Sequence, residues 1–94
     1  MSYWRTTKVE FNTEKDADEA SAEYSKNAVS EFPEAEILLA IRSGPTSAIA
    51  VSVYPDEEKA KIATVARNAR MEKAGHRRKS AEMHQGVVTL KVVR

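Results

Sequence analysis

The chain has 94 residues, 41% of them hydrophobic and 31% charged, with a formal net charge of +1. That size admits one domain, residues 1–94, built on one modest core. Cysteine is absent, which excludes disulfides, thiolate catalysis and cysteine-ligated metal centres.

The opening residues Met1 to Arg5 lack the apolar stretch of a signal peptide. The longest apolar run, Ile37 to Ile41, is far too short to cross a bilayer. The expectation is a cytoplasmic protein with no membrane partner. Charge is unevenly spread. Residues 1–36 carry nine acids and four bases, so the rest of the chain is +6. Such asymmetry can steer a ligand or orient a partner. Two solvated helix faces would produce it as well.

Tyr3 to Phe11 predicts a strand, with Val9 and Phe11 on one face and Lys8 and Glu10 on the other. Thr13, with Asp16 three residues on, marks a helix start. Ala17, Ala20, Tyr24, Ala28 and Phe32 then recur at helical spacing until Pro33 ends the helix. Glu36 to Arg42 predicts a second strand, apolar on both faces. Ser43-Gly44-Pro45-Thr46 is a turn signal, and Ser47 to Tyr54 a third strand completing a hairpin. Asp56 caps a second helix whose first turn carries Glu57 and Glu58. Its apolar positions are Ile62, Val65, Ala66 and Ala69, and Gly75 suits its C′ position. His76 to Gln85 reads as a basic loop or frayed helix end, and Gly86 to Val93 as the fourth strand.

Strand, helix, strand, strand, helix, strand is the order of a split βαβ pair. Right-handed crossovers put both helices on one side of the sheet. The fold class is therefore α+β: a ferredoxin-like sandwich with a four-stranded antiparallel sheet. Its uncovered face would expose either Ile37, Leu39 and Ile41 or Leu38 and Ala40. Exposed apolar patches mark interfaces, so a sheet-to-sheet homodimer is expected, with Ile37, Leu38, Leu39, Ile41, Val88, Leu90 and Val92 as candidate interface residues.

This order, the length, the segment Ala48 to Glu58 and the last apolar run Val87 to Val93 resemble the dimeric α+β barrel superfamily, in particular small proteins of the antibiotic-biosynthesis-monooxygenase type. The resemblance implies a homodimer with sheets face to face and a ligand cavity between sheet and helices in each protomer. It also implies monooxygenase-like chemistry on phenols or quinols without a cofactor in some members, and haem binding or degradation in others. No motif locates that family's Asn, Trp and His pocket residues in this sequence, and no cofactor is expected.

The candidate ligand-binding residues are Trp4, Tyr24, Tyr54, Arg70, His76, Arg77, Arg78 and His84. Aromatic side chains can stack on a planar molecule or simply fill a small core. His76 and His84 are eight residues apart, a spacing with no zinc signature, so no metal site is expected. Arg67, Arg70, Lys73, Arg77, Arg78 and Lys79 form a basic cluster that could take a carboxylate or phosphate, or dress a helix C-terminus. Nucleic acid is not an expected partner, because the third strand has no aromatic before Tyr54. Two functions stay open: a small-molecule-binding dimer, or a non-enzymatic module that recruits an anionic partner through the basic 76–85 segment.

Overall fold

In the computed structural model, which describes residues 1–94, six main elements follow one another. They are β1 (Tyr3–Phe11), α1 (Glu14–Glu31), β2 (Ile37–Gly44), β3 (Ser47–Tyr54), α2 (Glu57–Lys73) and β4 (Arg78–Val87), with a 3-10 turn at Gly75–Arg77 before β4. The sheet order is β2-β3-β1-β4, and every neighbouring pair is antiparallel. This is the expected ferredoxin-like βαββαβ sandwich. Neither helix is long and apolar enough to cross a membrane.

Local chemistry explains the helix ends. The Thr13 hydroxyl accepts a hydrogen bond from the Asp16 backbone N–H at 3.0 Å, and the Asp56 carboxylate accepts one from Lys59 N–H at 2.9 Å. Each cap thereby occupies a donor that the first helical turn leaves unpaired. α1 ends at Glu31, just before Pro33. α2 ends at Lys73, and Gly75 takes the C′ position without a left-handed φ. The chain tightens there into the 3-10 turn instead.

Register fixes the two faces of the sheet. Arg5 pairs with Ser52, Thr7 with Ala50 and Leu38 with Ser52, so these residues share one face. The helices cover that face. The core beneath them is Ala28, Phe32, Tyr54, Ala60 and Ala63. The opposite face carries Ile37, Leu39, Ile41, Ile49, Val51 and Val53 on β2 and β3. Thr6, Lys8, Glu10, Glu82 and His84 lie on its β1 and β4 side. Leu39 and Ile41 are exposed, at 51% and 44%. Leu38, by contrast, packs against the core under the helices.

Two expectations are corrected. The fourth strand is Arg78–Val87, eight residues earlier than Gly86 to Val93 at its start, and the supposed basic loop is that strand. After α2 closes at Lys73, the chain must return along the free edge of β1. A strand starting at Gly86 would need a long structureless connection, which compact domains avoid. Val88, Leu90 and Val92 therefore lie past β4, in a tail held by the Val88 N–H donating to Ser2 O at 2.9 Å and by Lys91 against Glu36 at 3.2 Å. The second correction concerns α2. Ile62 and Val65 are exposed, at 55% and 74%, and the buried face is Ala60 and Ala63. Small side chains let the helix approach the sheet closely enough to seal over the Tyr54 ring.

Candidate functional site

A cavity of about 510 Å³ lies between the covered sheet face and the two helices. Its floor is the alternating inward row of β1, Arg5, Thr7, Val9 and Phe11, with Ser52 and Tyr54 of β3 beside it. α1 contributes Tyr24 and Glu23, α2 contributes Arg67 and Arg70, and the 3-10 turn closes one end with His76 and Arg77.

Tyr54 is fully buried, and its hydroxyl accepts a hydrogen bond from Arg5 Nη2 at 2.8 Å. Arg5 Nη1 donates to Thr64 Oγ1, also at 2.8 Å, and the guanidinium carbon lies 5.4 Å from the centre of the Tyr54 ring. Arg5 is only 3% exposed. Arg67 reaches Thr7 Oγ1 at 3.4 Å and Asn68 Oδ1 at 3.1 Å. Burial holds the Arg67 guanidinium below the usual arginine range, and the like charges of Arg5 and Arg78 add to the shift.

Other arginines on the wall are paired. Arg70 donates to Glu31 Oε2 at 2.6 Å and lies 5.5 Å from the centre of the Tyr24 ring. Burial raises the Tyr24 hydroxyl above the ordinary phenol value, so it stays protonated at neutral pH. Arg77 donates to Glu23 and sits 3.8 Å from Glu19. The hydrogen bond from Arg77 holds the Glu23 carboxyl below its usual range. Arg78 donates to the Met71 carbonyl, in the last turn of α2 where cations complement the helix dipole.

Six of the eight sequence candidates thus line one cavity: Tyr24, Tyr54, Arg70, His76, Arg77 and Arg78. Two do not. Trp4 faces the other side of the sheet, beside its register partner Gly86. His84 is also on that face, exposed and 2.9 Å from Glu82. Arg77 and Arg78 are engaged with Glu23 and with Met71 O, whereas Lys79 of the same segment is exposed. Sequence reasoning missed Arg5, although the spacing that put Val9 and Phe11 on one face also puts Arg5 there. It missed Thr64 as well, which carried no signal beyond its place on α2.

Seven arginine or lysine side chains line the cavity against two glutamates, Glu23 and Glu31, each paired with an arginine. Such a wall donates hydrogen bonds and stabilises negative charge. It presents no free carboxylate to act as a base.

No protein-family model and no curated protein matches the sequence. Solved structures do match. A dimeric ferredoxin-like protein from an uncultured marine organism superposes with a TM-score of 0.79 at 11% identity, covering 99% of this chain and 92% of the other. A candidate antibiotic biosynthesis monooxygenase from Chloroflexus aurantiacus gives 0.76 at 12% identity, over 99% and 98% of the two chains. A monooxygenase of Streptomyces coelicolor in complex with nanaomycin D gives 0.76 at 9% identity, over 99% and 92%. The chain shares the ferredoxin-like fold of these three proteins.

Proposed function

We propose that this protein is a homodimer that binds a small aromatic or anionic organic molecule in the cavity between sheet and helices. On that molecule it carries out monooxygenase-like chemistry without a cofactor. The cavity carries the reading: about 510 Å³ is of the size that takes a small ligand. It is roofed by helices and lined by Tyr24, Phe11, Phe32 and Tyr54. The nanaomycin D complex of a protein with this fold supports a small-molecule role, and the open apolar sheet face supports the dimer. In the reaction, dioxygen is the oxidant and a phenol or quinol supplies the electrons; one oxygen atom enters the substrate and the other leaves as water.

The test is oxygen consumption with a panel of naphthohydroquinones, with products followed by mass spectrometry under labelled dioxygen. Enzyme-dependent uptake with one labelled oxygen in the product is the expected result. Tight binding of the panel with no uptake above the uncatalysed rate would leave a binding protein and remove the enzyme.

A further inference from the structure

Two kinds of arginine meet at the cavity. Arg42, Arg70 and Arg77 each have a carboxylate partner within ion-pairing distance. Arg5, Arg67 and Arg78 have none; their partners are Thr64, Tyr54, Thr7, Asn68 and the Met71 carbonyl, all neutral. The difference matters most for Arg5. It is 3% exposed, and a buried cation without a counter-ion is costly unless something compensates it. Two hydroxyls and a ring face supply only part of that compensation.

The placement is systematic. Arg5 and Thr7 are two apart on β1 and share the covered face. Thr64 and Arg67 are three apart on α2 and share a helix face. Arg5 reaches across to Thr64, and Arg67 reaches back to Thr7. Two guanidiniums therefore cross between strand and helix at the same point of the cavity wall, held by hydroxyls rather than by acids. Burial first, and then the like charges of Arg5 and Arg78, hold the Arg67 guanidinium below the usual arginine range. Hydroxyl partners fix the orientation of a guanidinium without neutralising it. A planar, two-oxygen anion matches the remaining N–H groups.

Resting on the reading that the cavity takes a small molecule, we propose that Arg5 and Arg67 form a carboxylate-binding site, so that the ligand is an organic acid whose apolar body lies against Tyr24 and Phe32. Arg78, at the start of β4, adds positive potential.

The probes are 2-naphthoate and 2-naphthamide, which share ring and size and differ in charge, titrated calorimetrically into the full chain. Charge-assisted hydrogen bonds are stronger than neutral ones, so the acid should bind at least about tenfold more tightly than the amide. Arg67→Gln should erase that preference by weakening acid binding far more than amide binding, and Arg67→Lys should restore part of it. Because Arg67 is held in a repelling, partly desolvated place, Arg67→Gln should melt no lower than the parent, which separates a binding role from a structural one. Equal binding of acid and amide would overturn the carboxylate site and leave the cavity reading standing. An acid preference that survives Arg67→Gln would also overturn it. A matching effect of inorganic phosphate alone, competing fully with naphthoate, would replace the organic acid with a simple anion. Neither naphthalene binding at millimolar concentration would bring down the cavity reading itself.

Discussion

The Glu23 and Arg77 ion pair joins α1 to the 3-10 turn, and its chemistry sets a pH response. The Glu23 carboxyl is held below its ordinary value of 4.5 by the Arg77 hydrogen bond and charge. A depressed folded-state pKa means that the unfolded chain takes up the proton first as pH falls. The pair's contribution is therefore full above the ordinary carboxylate value and is lost as pH drops through the folded one. Melting temperatures of the parent and Glu23→Gln should differ at pH 7 and converge as the pH falls below 4.5. A gap that does not change with pH would mean the pair adds nothing. At this scale the sequence was partly legible. Tyr54, Arg70 and the basic cluster were visible as chemistry-bearing residues. Their partners were not, since Glu23 is 54 residues from Arg77 and only the fold brings them together. Arg5 stood in a readable alternation, yet a charged residue at an inward strand position runs against the general rule that arginine lies outside.

The two helices illustrate how far periodicity reaches. The α1 stripe faces inward as its spacing predicts, with Ala17, Ala28 and Phe32 buried. In α2 the large apolar residues, Ile62 and Val65, lie outside, and the small ones, Ala60 and Ala63, lie inside. Spacing alone weighs size as importance, whereas close helix–sheet contact favours alanine. The contrast is testable by urea denaturation. Ala63→Leu should cost about 1–3 kcal/mol through overpacking, whereas Ile62→Ala should change stability by less than about 0.5 kcal/mol. A large loss at Ile62 would show that another surface covers it. β4 failed for a related reason. Arg78 to Val87 carries only Ala81, Met83 and Val87 as apolar residues, and it is an edge strand exposed along most of its length. Charged edges of that kind block unwanted pairing and hide the strand from any search for apolar alternation.

At the scale of the whole molecule, only 11 of 94 residues are buried, a small core for a chain with this much apolar strand. The uncovered face is divided lengthwise. Its β2 and β3 half is apolar, and its β1 and β4 half carries Lys8, Glu10, Glu82 and His84. That division has a symmetry consequence. Two such faces can stack about a two-fold axis that runs along the strands or across them. An axis along the strands lays the apolar half of one protomer on the charged half of the other. An axis across them lays β2 on β2 and apolar on apolar, with the middle of β2 meeting its own copy. Because the chain has no cysteine, Leu39→Cys gives a single thiol at that point. Stacked sheets lie about 10 Å apart, beyond disulfide reach, so in the proposed dimer this thiol should cross-link to its own copy with a short bis-maleimide, while a cysteine at Lys8 should not. The opposite pattern would put the axis along the strands, and charge would then govern how two copies meet.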